Sequence, residues 1–248
     1  MSLEELKKLD VTLSMQGTTD AILAEIGKVV DGKSAADKEA LAIIYQKLIE
    51  VDEAFDRPLD SPETFVRLRD AAISAGNADL EKYCQAQVNM IEANDLHFKG
   101  YTWLYFGNCV KATEYLGKAA EIAPDHPLAQ LDHDKAKKRL DKAMDELAKA
   151  ENLIDKKGNA DAWLKKANAL VTMGKTEEAL PAFDKAISLD PENDGALAKK
   201  GAALQGLGKH SEAVKMFQAA LEIKPTSQIG KKGMNLSEFF ADNPDFKL

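Results

Sequence analysis

The strongest constraint on this chain is that it repeats itself. Trp163, Ala167, Leu170, Gly174, Ala179, Phe183, Ala186 and Pro191 return 34 residues later as Leu197, Gly201, Leu204, Gly208, Ala213, Phe217, Ala220 and Pro225. A period of this size marks a stacked array, because one such unit cannot cover its own apolar face. The spacings describe the unit. Leu197, Gly201 and Leu204 fall 4 and 3 apart, on one face of a helix. Gly201 has no side chain, so a neighbouring helix is expected to come close there. Gly208 ends the first helix, since glycine enters the left-handed region without strain. Ala213, Phe217 and Ala220 make the buried stripe of a second helix, and Pro225 stops it.

A third copy lies upstream over 93–126, with Leu96, Gly100, Trp103, Gly107, Ala112, Leu116, Ala119 and Pro124. Leu116 stands where the other copies have Phe. The pattern resembles the tetratricopeptide-repeat (TPR) family, whose units carry Trp, Gly or Ala, Tyr or Leu, Gly, Ala, Phe, Ala and Pro at these offsets. The resemblance implies an all-α fold, a TPR-type α-solenoid of antiparallel helix pairs. Two repeats are expected at 160–226. Residues 58–126 read as an N-terminal TPR-like lobe, whose first pair, over 61–92, matches the pattern less well. Ser61, Pro62 and Glu63 open that pair as N-cap, first-turn proline and early acid. Gly76-Asn77 breaks it, and Ala78–Ile91 supplies its second helix.

Three segments fall outside the pattern. Residues 127–159 have one residue fewer than a repeat and contain no Gly or Pro between Pro127 and Gly158. They read either as a degenerate repeat turning near Asp141-Lys142 or as one long connecting helix. An unbroken stripe favours the helix: Ala129, His133, Ala136, Leu140, Ala143, Leu147, Ala150 and Ile154. Residues 1–57 form a helical, non-TPR segment. In it Thr18 or Thr19 can cap a helix bearing Ile22, Ile26 and Val29, and Ser34 one bearing Leu41, Ile44, Tyr45, Leu48 and Val51. The tail, 227–248, reads as a helix capping the last apolar face, or as a segment folding back into the binding groove.

Charge narrows the function. The net charge is −8, and all of it lies in residues 1–159, with 21 basic and 29 acidic groups. Nucleic acids and anionic membranes call for a basic surface, so neither is an expected partner. No membrane-length apolar run occurs and Met1–Leu6 has no signal-peptide core, so a soluble, cytoplasmic location is expected. Cys84 and Cys109 read as buried, reduced thiols.

Catalytic and metal patterns do not assemble. Gly208-Lys209 would need Gly at Ala203 and Ser or Thr at His210 to be a phosphate loop. His126 and His133 on one helix would stand about 10 Å apart, too far to share a metal ion. Asp132-His133-Asp134 reads as solvent-facing polar sequence. No enzyme activity, cofactor or metal is therefore expected.

Within the TPR family, the first helices of successive repeats line a concave groove that holds a partner peptide. The resemblance places Lys165, Asn168 and Thr172 in that groove, then Lys199 and Gln205 in the next repeat, and Phe98, Tyr101 and Tyr105 upstream. Leu164 and Lys199 depart from the family's clamp for chaperone C-terminal carboxylates, so that specificity is not implied. Lys165 and Lys199 occupy equivalent places and suit an acidic group on a peptide, and Asn168 and Gln205 suit its backbone. Phe98, Tyr101 and Tyr105 suit an apolar or helical ligand. The expected function is a protein–protein interaction scaffold; an accessory or regulatory subunit of an enzyme complex is the alternative.

Overall fold

The computed structural model describes residues 3–10, 15–26, 28, 34–55 and 62–242. Among these it contains helices and turns and no strand. The chain divides into two compact units, 1–93 and 94–248.

The first unit holds α1 (Leu3–Lys7), α2 (Met15–Ile26), α3 (Ala35–Phe55), α4 (Pro62–Ala75) and the start of α5 (Ala78–Phe106). Its core is Leu6, Ile22, Leu41, Ile44, Leu48, Phe65, Leu68, Leu80 and Cys84. Ser34 caps α3 as expected, its hydroxyl accepting the Asp37 N–H at 3.0 Å. The Thr18–Thr19 cap is corrected: α2 already begins at Met15, so both lie inside the helix. Ser61 and Val29 fall outside the described residues. Gly76, at φ 72°, closes α4, and the Asn77 side chain accepts the Leu80 N–H to open α5.

A helix break was expected near residue 92, and it is absent. α5 runs 29 residues from Ala78 to Phe106, through the start of the upstream repeat. The reason is local, since no Gly or Pro lies between Gly76 and Gly100 to stop it.

In the second unit α5 turns at Gly107 into α6 (Cys109–Ile122). Then come α7 (Ala129–Lys157), the pair α8 (Ala160–Thr172) and α9 (Thr176–Leu189), the pair α10 (Asp194–Gly206) and α11 (His210–Ile223), and α12 (Gln228–Asp242). α7 is continuous for 29 residues, about 43 Å at 1.5 Å per residue. Ala129, Ala136, Ala143 and Ala150 are fully buried along it. Such small side chains let α6 pack closely on its first half, where Ala136 meets Leu116, and α8 on its second, where Leu147 joins the core that α8 forms with α9.

The apolar stripe of each pair behaves as the spacings require. Phe183 and Phe217 are buried, as are Ala167, Ala179, Ala186, Ala213 and Ala220. A Cβ added at Gly201 would lie 2.7 Å from Phe217 Cε1, and one at Gly100 2.6 Å from Leu116 Cγ. Both glycines are therefore packing residues inside helices, where glycine otherwise costs about 1 kcal/mol relative to alanine.

Of the Asp132-His133-Asp134 triplet, Asp134 is exposed, His133 is half-buried, and Asp132 departs from the solvent-facing reading. Asp132 is only 6% exposed and accepts from His97 Nε2 at 3.0 Å and from Lys135 Nζ at 2.9 Å. Burial acts to raise its pKa, but the bonds from Lys135 and His97 prevail and hold it below the usual carboxylate range. His126 replaces a side-chain cap at Leu128. Its Nδ1 accepts the N–H groups of Leu128 and Ala129 at 3.2 and 3.0 Å. The proton must therefore sit on Nε2, which donates to Asn94 Oδ1 at 3.0 Å. Burial, and then the neighbouring His97, hold the His126 pKa below its ordinary value.

Two expectations follow. Gly201→Ala should destabilise the chain by about 1 kcal/mol in urea titrations, because overpacking against Phe217, at roughly 1–3 kcal/mol, outweighs the gain in helix propensity. A neutral or stabilising result would mean that Phe217 moves aside freely. His126 must stay neutral to cap α7, so the folded state binds its proton less tightly than the unfolded state does. Its contribution is complete above about pH 6.5 and is lost as pH falls through the lower folded value. His126 bonds Asn94, and its ring centroid lies 4.9 Å from that of His97, which in turn bonds Asp132, itself paired with Lys135. Denaturation midpoints at pH 7.5 and 5.5 should differ in the wild type and differ less in His126→Gln.

Candidate functional site

The residues that face a TPR groove come from α5, α8 and α10, and the structure treats them unequally. Thr172 is 8% exposed, its hydroxyl donating to Asn168 O. Gln205 is 1% exposed. Tyr105 is half-buried, and burial raises its phenol pKa. The neighbours covering them belong to the chain itself. The turn after α5 comes against α8, where a Cβ at Gly107 would meet Val171 Cγ1 at 3.0 Å. Tyr105 packs with Ala198 and Ala202 of α10, and Phe106 lies against Gly206.

α12 covers the rest. Gln205 Nε2 donates to Ser237 Oγ at 2.8 Å and approaches Gly233 O at 3.4 Å. Tyr105 donates its hydroxyl hydrogen to Ile229 O at 3.2 Å. The rings of Phe98 and Phe239 are 5.7 Å apart, and Phe106 stacks on Phe240 at 6.4 Å. α12 also caps the last pair, with Gly230 against Leu221 and Gly233 against Phe217. α12 thus lies against the last pair and against residues of α5 and α10.

The fit is incomplete. Gln205 Oε1 and Trp103 Nε1 are buried without a hydrogen-bond partner. Each such group costs about 1–3 kcal/mol. Beside them is a cleft of about 250 Å³ lined by Trp103, Lys111, Gln205, Gly206, Gly208, His210 and Phe240. Lys111 Nζ stands 3.8 Å over the Trp103 ring.

The other expected residues remain accessible. Phe98 is 41% and Tyr101 50% exposed, Tyr101 lying beside His97. Asn168 is half-buried. Lys165 is exposed and pairs with Asp161 at 2.6 Å. Lys199 is half-buried; burial first, and then Arg139, hold its ammonium pKa below the ordinary value, with Asp161 opposing. Lys199 therefore feels the Arg139 guanidinium and, less strongly, the Asp161 carboxylate, which is itself paired with Lys165.

Family matches follow this geometry. The tetratricopeptide-repeat description matches residues 160–193 and again 195–227. The chain carries two tetratricopeptide repeats there. Solved structures similar to it include the TPR domain of Arabidopsis OM64, at 19% identity over 60% of this chain and 97% of that one, with a TM-score of 0.32. A TPR protein of Parabacteroides merdae is 23% identical over 62% of each chain, with a TM-score of 0.39. The TPR2AB domain of yeast Sti1, in complex with pHSP90, is 14% identical over 91% of this chain and 98% of that one, with a TM-score of 0.30. No curated protein matches the sequence.

TPR repeats are protein-interaction scaffolds, and in general terms that is the role of this protein. Among the described residues no helix is long and apolar enough to cross a membrane. Reading the repeats by position missed Arg139, because it lies on α7, outside both matched repeats. It also missed Trp103 and Lys111 as a pair. The only sequence signal for Arg139 was its place on the uninterrupted 127–159 helix.

The cation cluster makes one stability prediction. Lys199 is desolvated beside a like charge, so Lys199→Met should raise the urea midpoint of the free protein. A lowered midpoint would show that the ammonium anchors the fold.

Proposed function

We propose that this TPR protein binds an acidic segment of a partner at Arg139, Lys165 and Lys199. The supporting observation is the charge of that place: Lys165 pairs with Asp161, and Lys199 feels both Arg139 and Asp161, on a chain whose net charge is −8. Among the described residues neither Arg139 nor Lys199 has an ion pair within 4.0 Å. An incoming carboxylate would relieve the repulsion that Lys199 meets and would accept charge-assisted hydrogen bonds. Asn168, next to Lys165 on α8, would hold the segment's backbone through its amide. Phe98 and Tyr101 offer exposed aromatic surface for apolar side chains of the same partner.

The test is a peptide-display selection on the full chain. Selected sequences should be enriched in Asp and Glu, and their affinity should fall with added salt. The Arg139→Glu and Lys199→Glu double variant should lose about tenfold or more in affinity for the selected peptides, mostly through faster dissociation. Peptides with no acidic bias, or equal affinity for the reversed variant, would reject this site.

A further inference from the structure

We propose that the surface of α5, α10 and α11 beneath α12 is an exchangeable seat for an amphipathic helix of a partner, held in the free chain by α12. This does not rest on the acidic-segment reading, since Arg139, Lys165 and Lys199 lie outside the seat. Three observations carry it.

The first is how α12 is attached. Its close contacts are at Gly230 and Gly233, the residues of this helix that are buried. Its larger apolar side chains, Met234, Leu236, Phe239 and Phe240, stay half-buried, and Ile229 is 36% exposed. Phe183 and Phe217, in the repeats beside it, are at most 1% exposed. A short turn around Pro225 and Thr226 joins α12 to α11, and α12 lies beyond both matched repeats.

The second is what α12 leaves unmet. Ser237 gives Gln205 an acceptor for its N–H, but its own hydroxyl hydrogen goes back to Gly233 O at 2.8 Å. Gln205 Oε1 therefore has no donor, and Trp103 Nε1 has no acceptor. The third is room, since the cleft of about 250 Å³ lies beside Phe240.

These features specify the occupant. It has glycine where α12 has Gly233, because a Cβ there would lie 2.3 Å from Phe217 Cε1. It has apolar residues at the places of Leu236 and Phe240, which pack with Trp103, Phe106 and Leu116. At the place of Ser237 an amide serves better than a hydroxyl. Asn can accept from Gln205 Nε2 and donate to Gln205 Oε1 at once.

Two labelled peptides spanning residues 225–242 test the seat by fluorescence anisotropy, one of native sequence and one with Ser237→Asn. They are titrated into the full wild-type chain and into a Phe239→Ser, Phe240→Ser double variant. The double variant should loosen the resident helix, so that its place against the last repeat opens to the peptide. Peptide binding should be about tenfold tighter to the double variant, and the Asn peptide about fivefold tighter than the native one. Equal affinity of the wild type and the double variant would overturn the proposal. Should the double variant lose its helical circular dichroism, a Gln205→Cys, Ser237→Cys pair replaces it. Peptide binding should then be absent in the oxidised chain and return on reduction, and binding that ignores the disulfide would overturn the proposal. Dimerisation of the double variant without peptide would also overturn it, by giving the seat to a second copy of this chain.

Discussion

The second unit depends on how closely helices can approach Phe217. Its ring is fully buried, and the two backbones flanking it carry glycine at the point of contact. Gly201 of α10 and Gly233 of α12 both face the same ring edge, and a Cβ on either would overlap it. The repeat fixes Phe217 and Gly201 through its own pattern. Gly233 extends the same arrangement beyond the last repeat, so α12 can lie where a further first helix would. A ring held between two backbones transmits any displacement of one to the other, because cores packed at crystal-like density have no slack. Capping and groove filling thereby become properties of one helix.

The long helices α5 and α7 set what the groove can be. In a regular array each pair turns back at glycine, and first helices line up side by side. Here two stretches without Gly or Pro carry the chain straight on, and α7 meets different neighbours along its two halves. Its alanines, seven residues apart, let α6 and α8 come close at separate levels. The consequence is chemical. The end of α5 comes onto α8 and α10, covering Thr172 and Gln205, while Arg139 is carried next to Lys199. The surface left accessible is thus more cationic than the repeats alone would make it.

Among the described residues three buried polar side-chain atoms lack a hydrogen-bond partner. Trp103 Nε1 and Gln205 Oε1 are left unmet beside α12, and His133 Nδ1 near the start of α7, where His126, His97, Asn94 and Asp132 are hydrogen-bonded. Stability and recognition are divided between different places. His126, His97, Asn94 and Asp132 hold a helix start in a single protonation pattern, and Lys199 sits in an environment that disfavours its charge.

Much of this protein was legible in the residues alone. The 34-residue period, the glycine-to-ring contact, the buried alanine and phenylalanine stripe and the Ser34 cap follow from spacing and side-chain size, which act within a turn or two of helix. The absence of Gly and Pro also bears on 127–159, where the structure has a single helix. The same absence at 78–99 was overridden in the sequence reading by the repeat pattern, which placed a helix start at 93. Tertiary packing decided the rest. Whether Thr172, Gln205 and Tyr105 face a ligand or the chain itself depends on where α5 and α12 lie, and no local rule contains that. The electrostatic repulsion between Arg139 and Lys199, and the hydrogen bond of His126 with Asn94, join residues 60 and 32 positions apart. Such contacts arise only when whole helices settle against one another, because their energy depends on burial and distance in space rather than on order along the chain.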